Sequence, residues 1–300
     1  MIPKDKHLHG IFAPLTTPFV GEEIAPDHLA ENISHYNRFD LSGYVLLGST
    51  GEAVYLNDKE SVTLVKTARD STPPEKKLIV GTARESTRET VCFTNRMARL
   101  GADAALIRSP GYFKSRLTPD ALALYYERIA DESNIPVIVY NIPVHTGYSL
   151  TTETVLRLAV HPNIIGLKDS SGNLGFVGEV LNGIPNNFAV LLGAASILLP
   201  GLMMGVSGAI ITLSDVAPEH CLRLLRLFHD QMWEEARRLQ LDLIPLNKAI
   251  IQTIGVAAVK YALDLTGFYG GPCRSPLPPL NKQEEDHMRR ILEKLQLIEA

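Results

Sequence analysis

Eight short apolar runs, each followed by a longer segment of helical period, predict an α/β chain folded as a (β/α)8 TIM barrel with a C-terminal helical extension. Two further observations favour the closed form. No GxGxxG follows the first run, which removes the main sign of a doubly wound open sheet, and no linker separates two halves; each run is short and apolar on both faces. Three hundred residues fit one such barrel, and no break in composition argues for a split. The expectation is a single domain over 1–300, with the barrel in 1–228 and the helical extension in 229–300.

In chain order the predicted strands are 10–14, 43–47, 78–81, 104–108, 137–140, 164–168, 189–192 and 208–211. The helical segments between and after them are 26–38, 58–70, 87–100, 119–132, 152–160, 173–182, 195–204 and 217–228. Asn57, Ser86, Thr118 and Thr151 stand where N-caps are wanted, and Glu60 lies three residues after Asn57 in a capping-box spacing. Past the eighth unit, 231–243, 245–253, 256–265 and 282–297 keep a helical period, with breaks expected at Pro245, Gly255 and the Gly270-Gly271-Pro272 turn. No repeat of 20 to 50 residues is visible beyond the βα alternation itself.

Composition excludes several function classes. A formal net charge of -4, with basic residues spread through the helical segments, provides no field for a nucleic acid. Cys92, Cys221 and Cys273 are odd in number and widely spaced, so neither a disulfide framework nor a zinc site is indicated, and a reducing cytoplasm fits best. The segment 1–9 is short and polar, without a secretory or transit pattern. The most apolar stretch, 188–213, is interrupted by glycines, serines and Pro200, and reads as strand, helix and strand rather than a membrane span. A soluble chain is expected. The nine histidines show no metal-binding spacing, so no metal is expected, and His7, His9, His28 and His35 are assigned to the surface.

In a barrel of this kind reactive groups collect where the strands end. Lys168 closes the apolar run Asn163-Ile164-Ile165-Gly166-Leu167, which would aim its amine out of a low-dielectric wall; desolvation there disfavours the ammonium, and a neutral amine is what carbonyl attack requires. A strand-end lysine can equally snorkel to water. Tyr140 ends the fifth strand, where a phenol either shuttles protons or packs with its hydroxyl satisfied. Ser49, Thr50 and Gly51 come after the second strand and offer backbone N–H groups and two hydroxyls for a carboxylate, although glycine and serine are common in any loop. Glu52 is either a base or, as the plainer reading, a loop carboxylate anchoring amides of its own turn. Tyr112 comes after the fourth strand. Tyr125, Tyr126 and Trp233 are read as packing residues. The Gly193-Ala194-Ala195-Ser196 turn is too unspecific to assign to a phosphate.

Taken together, Pro14-Leu15-Thr16-Thr17-Pro18-Phe19, the Gly48 to Glu52 turn, Tyr140-Asn141-Ile142-Pro143 with Thr146-Gly147, and Gly166-Leu167-Lys168-Asp169 resemble the dihydrodipicolinate synthase and N-acetylneuraminate lyase family of class I pyruvate aldolases. The resemblance spans nearly the whole chain. It implies that Lys168 is the Schiff-base lysine, that Tyr140 shuttles protons, and that Ser49 and Thr50 hold the pyruvate carboxylate and relay protons. It implies further that Tyr112 enters a neighbouring subunit's site, that the chain assembles as a homo-oligomer, in the usual form a dimer of dimers, and that the Ile210 carbonyl faces the site. The only prosthetic chemistry it implies is the covalent imine on Lys168, with no cofactor.

Departures from the family pattern bear on the substrate. In the synthases, the loop after the tyrosine carries an arginine that grips the second substrate's carboxylate; here that position is His145, and an imidazole cannot make the same bidentate clamp. Asp169-Ser170-Ser171-Gly172 and Tyr269 through Leu277 are similar to the 4-hydroxy-2-oxoglutarate aldolase branch. The expected reaction is therefore cleavage of a 4-hydroxy-2-keto acid, 4-hydroxy-2-oxoglutarate in the first place, to pyruvate and an aldehyde, with Ser170 and His145 contacting the distal part of the substrate. The alternatives are synthase-type condensation of pyruvate with an aldehyde and cleavage of 2-keto-3-deoxy sugar acids. A non-catalytic keto-acid-binding module is the rival from another class, and the joint presence of lysine, tyrosine and the GSTGE turn argues against it.

Overall fold

A computed structural model of the chain describes residues 8–299. The reading of the segment up to residue 7, including the surface place of His7, lies outside the described residues. The strands are β1 (Gly10–Ala13), β2 (Phe19–Val20), β3 (Glu23–Ile24), β4 (Gly43–Leu46), β5 (Lys77–Gly81), β6 (Ala104–Arg108), β7 (Val137–Asn141), β8 (Ile164–Asp169), β9 (Ala189–Leu192) and β10 (Gly208–Ile210). β2 and β3 pair antiparallel through a turn at Gly21, and no sequence signal announces them because two-residue strands carry no period. The other eight hydrogen-bond in the ring order β1-β10-β9-β8-β7-β6-β5-β4, a closed barrel of parallel strands, as the sequence predicts. Each lies within one residue of its expected bounds.

The chain forms two compact units, one of Ile79–Ile210 with the segment ending at Gly10, the other of Ile11–Leu78 with the segment from Ile211 onward. In the first, Val137, Ile138 and Val139 of β7 are wholly buried, which is why this strand reads as a continuous apolar run. The helices Thr87–Arg99, Pro119–Glu132, Thr152–Ala159 and Leu174–Gly183 begin at Ser86, Thr118, Thr151 and Asn173, whose side chains each accept a backbone N–H of the first turn. Each cap stabilises its helix by ~1 kcal/mol. The expected helix over 195–204 divides into a 3-10 turn, Ala195–Ile197, and a helix, Leu198–Met204. A bulge in the β7–β8 pairing brings Tyr140 opposite Lys168 and Asn141 opposite Asp169.

The second unit pairs β1 with β4, Phe12 opposite Gly43, and includes the helices Pro26–Tyr36, Asp58–Ser71, Pro218–His229, Trp233–Lys248, Val256–Leu265 and Lys282–Lys294. The capping box of Asn57 and Glu60 is formed as its spacing predicts. The break expected at Pro245 does not occur, and the helix Trp233–Lys248 runs through it. The carbonyl deprived of its donor belongs to Leu241, a residue 55% exposed, so water can take the free acceptor. His28 stacks on Tyr269 at 3.7 Å between ring centroids, and His35 meets the edge of Phe268 at 5.6 Å, so both stand partly exposed at the surface with one face packed on an aromatic ring. His9 is exposed. Among the described residues, no helix is long and apolar enough to cross a membrane.

Candidate active site

In the first unit the register of β7 and β8 decides the local geometry. Lys168, 6% exposed, lies beside Tyr140, 7% exposed, with its Nζ 4.3 Å from the centre of the phenol ring. The snorkelling alternative fails here, since the amine is held against an aromatic face instead of reaching for bulk water. One residue on, Asp169 is completely buried and accepts from Asn141 Nδ2 (2.7 Å), Ser171 Oγ (2.7 Å) and the Ser171 N–H (3.3 Å). Asn141 Oδ1 in turn accepts the Leu150 N–H at 3.1 Å. Burial pushes the Asp169 carboxyl above its ordinary value, and the bonds from Ser171 and Asn141 oppose that shift. The lattice ties together the strand ends that carry the lysine and the tyrosine.

Ser170 bonds through its N–H to the Asn141 carbonyl at 2.9 Å and stands next to Gly193. A Cβ at position 193 would fall 1.9 Å from Ser170 Oγ and 3.1 Å from Lys168 Cε, so the absence of a side chain there is what makes room for both. Sequence alone singles out neither Asp169 nor Gly193 for a role at the lysine. The first is an ordinary acidic residue after a motif lysine, and the second sits in a turn of common composition. Ile210 ends β10 and is buried.

His145 lies on a short helix, Pro143–Thr146, and keeps an exposed edge; partial burial of the ring, then the nearby Arg108 charge, pulls its pKa below the usual histidine value. Tyr112 is 80% exposed, with Phe113 beside it at 72%. Its loop is nonetheless fixed: one oxygen of Glu85 accepts the N–H groups of Gly111 and Tyr112, both at 3.0 Å, and the other meets Arg108 at 2.9 Å.

In the second unit, β4 ends at Leu46, one residue earlier than expected, and Leu47 takes a left-handed φ of 55°. That conformation is costly for a γ-branched residue and persists because the turn beyond it is tightly bonded. Ser49 is exposed, Thr50 half-buried and Gly51 buried. The Glu52 N–H bonds back to the Ser49 carbonyl (3.1 Å), Thr17 Oγ1 donates to the Gly51 carbonyl (2.6 Å), and Thr50 Oγ1 shares a hydrogen bond with Thr212 Oγ1 (2.8 Å). The turn is thus fixed while Ser49 stays open to a ligand.

Glu52 is anchored differently from its sequence reading. Its carboxylate meets Lys260 Nζ at 2.6 Å and accepts the backbone N–H of Arg274 at 3.0 Å, so it binds the C-terminal segment instead of amides in its own turn. Both ionic side chains are 1% exposed. Removing one partner of such a pair costs ~3–5 kcal/mol, against ~0–1 kcal/mol for exposed pairs such as Arg128 with Glu132. Among the described residues no group of His, Cys, Asp and Glu is arranged to hold a metal.

The model of the dihydrodipicolinate synthetase family matches residues 7–295. The chain belongs to that family. It is 34% identical over 270 residues to the 4-hydroxy-tetrahydrodipicolinate synthase of Listeria monocytogenes serotype 4a, covering 90% of this chain and 89% of the relative. Among solved structures, a monomeric dihydrodipicolinate synthase variant superposes with a TM-score of 0.93 at 26% identity, covering 99% of this chain and 100% of the other. The dihydrodipicolinate synthase of Acinetobacter baumannii in complex with pyruvate superposes with a TM-score of 0.91 at 27% identity, covering 97% and 99%. The chain is accordingly a lyase, a class I pyruvate aldolase of the dihydrodipicolinate synthetase family. These relatives favour synthase-type condensation over cleavage of 4-hydroxy-2-oxoglutarate, the first expectation from sequence.

Proposed function

We propose that the protein condenses pyruvate with a small aldehyde through an imine on Lys168, a reading supported by relatives named 4-hydroxy-tetrahydrodipicolinate synthase. The observation that carries the reading is the buried amine of Lys168 held against Tyr140 on paired strand ends. The amine attacks C2 of pyruvate, and the carbinolamine loses water to give an iminium. Loss of a proton from C3 then yields an enamine, which forms the new bond to the aldehyde carbon while the aldehyde oxygen takes up a proton. Hydrolysis returns the water and frees the lysine. Tyr140 carries the protons, Thr50 and Tyr112 complete the relay, and Ser49 with the Gly51 turn receives the carboxylate. The Ile210 carbonyl is proposed to face the bound keto acid.

Tyr112, standing 80% exposed on a loop clamped by Glu85, has the disposition of a residue that completes a neighbour's site. The proposed assembly is a homo-oligomer, in the family's usual form a dimer of dimers. A cytoplasmic location is proposed on the unpaired cysteines.

A specific observation keeps the cleavage reaction as a second reading. His145, whose pKa is lowered by partial burial and then by Arg108, matches in sequence the position where the synthases carry an arginine, and Ser170 shares with Lys168 the space left by Gly193, in a segment similar to the 4-hydroxy-2-oxoglutarate aldolases. Borohydride with pyruvate is expected to add a covalent mass at Lys168, and its absence would remove the imine. Condensation with aspartate semialdehyde, run beside pyruvate release from 4-hydroxy-2-oxoglutarate, 2-keto-3-deoxygluconate and N-acetylneuraminate, separates the two readings. A kcat/KM for any cleavage well above that for condensation would overturn the synthase proposal.

A further inference from the structure

The C-terminal helices take no part in the proposed chemistry, yet one of them delivers a charge to the carboxylate-binding turn. Lys260, in the helix Val256–Leu265, reaches Glu52 at 2.6 Å and the Pro272 carbonyl at 2.7 Å, and its amine lies 4.4 Å from the centre of the Phe19 ring. Burial lowers the pKa of this lysine and the Glu52 charge opposes the shift, as expected of a cation retained for its partner.

The strap 270–274 is built against that helix with no slack. A Cβ at Gly270 would fall 1.9 Å from the Lys260 carbonyl oxygen, and Asp264 accepts the N–H groups of Gly270 (2.7 Å) and Gly271 (3.2 Å). Arg274 then closes the strap. Its guanidinium bonds Glu60 at 2.6 and 3.0 Å and the Tyr55 carbonyl at 2.8 Å, lies 4.6 Å from the Phe19 ring, and its own N–H bonds Glu52. Glu52 is therefore gripped by two fixed elements, and it is the residue whose left-handed φ of 52° directs the Ser49-Thr50-Gly51 turn into the helical turn Ala53–Tyr55. A non-glycine residue holds that conformation only while its surroundings enforce it.

We propose that Lys260 and Glu52 are positioning residues for the Ser49–Thr50 turn, so that the C-terminal segment sets the affinity for the keto acid's carboxylate. The inference rests on the reading that this turn holds the carboxylate. Neither residue touches substrate. A positioning role predicts weaker capture of pyruvate with the chemistry at Lys168 intact, whereas a purely structural role predicts lower stability alone.

The test measures borohydride trapping at Lys168 in the full-length protein as a function of pyruvate concentration. In Lys260→Met and Glu52→Gln, half-saturating pyruvate is expected to rise about tenfold or more while the plateau yield stays within about twofold, the signature of lost binding without lost chemistry. Leu158→Ala, which opens a cavity in the other unit, is the stability-matched control and should lower the melting temperature without moving half-saturation. Should the buried pair prove essential for folding, Arg274→Ala loosens the strap while leaving both charges, and about a threefold rise is expected. Unchanged half-saturation in the folded variants, or an equal rise in Leu158→Ala, overturns the proposal. Ser49→Ala identifies which premise failed. If it too leaves half-saturation unchanged, the carboxylate reading of the turn is wrong; if it raises half-saturation while Lys260→Met does not, only the positioning role is lost.

Discussion

Replacing Gly193 with alanine tests the geometry around the lysine most directly. The backbone would accept the change, because residue 193 is not in the left-handed region. The added Cβ would meet Ser170 Oγ at 1.9 Å, Ser170 Cβ at 3.0 Å and Lys168 Cε at 3.1 Å. The first contact is impossible, so the hydroxyl must move by more than ~1 Å, and the other two must each give by a few tenths of an ångström. Overpacking of this kind costs ~1–3 kcal/mol in stability. Its effect on chemistry adds to this: a ~1 Å misplacement at a reacting centre reduces rate by ~10²-fold, so the few tenths of an ångström asked of Lys168 Cε should slow trapping by up to about tenfold. The assay is the initial rate of borohydride trapping with saturating pyruvate, read by intact mass, beside a thermal melt. Adding Ser170→Gly removes two of the three contacts and should restore the melting temperature and part of the trapping rate. A Gly193→Ala enzyme that traps pyruvate and melts like the wild type would refute the packing argument.

Further expectations concern other residues. Tyr140→Phe should keep the fold and still form adduct, but lose ~10²- to 10⁴-fold in turnover; activity within a few-fold of wild type would assign the proton transfer elsewhere. Tyr112→Phe should lose activity in an oligomer seen by sedimentation velocity, and a fully active monomer would remove the shared site. Asp169 has a folded pKa raised above 3.8, so the native state binds its proton more tightly than the unfolded chain. Its contribution to stability therefore falls as pH rises from 3.8 through the raised value. Asp169→Asn keeps an acceptor for Asn141 but turns an amide NH2 toward the Ser171 N–H, so it should lower the melting temperature and flatten that part of its pH profile; an unchanged pH profile would assign the titration elsewhere. Native thiol titration should find Cys92 fast and Cys221 silent until unfolding. Cys273 should be slow, because burial and then Glu52 push it up to about 11 against the pull of Lys260; equal rates for Cys273 and Cys92 would contradict this.

The barrel was legible because each of its strands is buried on both faces and so appears as an unbroken apolar run, and because Asn57, Ser86, Thr118 and Thr151 mark helix starts with side chains that do cap them. The nearness of Lys168 and Tyr140 was legible too, since both close such runs on neighbouring strands. What escaped depends on partners far apart in sequence. Glu52 lies 222 residues from Arg274, and no local pattern links them. The need for glycine at 193 depends on Ser170, and the persistence of the helix through Pro245 depends on the exposure of Leu241. The substrate was the least legible, because it turns on residues such as His145 at the distal end, where family likeness and local chemistry point in different directions.

The tie between Glu52 and the strap around Arg274 has a consequence for biosynthesis. The N-terminal part of the second unit leaves the ribosome long before Lys260 and Arg274 exist, so during most of synthesis Glu52 has neither of its partners. Its left-handed turn can be completed only after the last helices are made, whereas the first unit, nearly continuous over Ile79–Ile210, is complete in sequence before them. A nascent chain stopped before the strap would thus carry Lys168 and Tyr140 without a fixed Ser49-Thr50-Gly51 turn, and the part proposed to receive the carboxylate would be among the last to form.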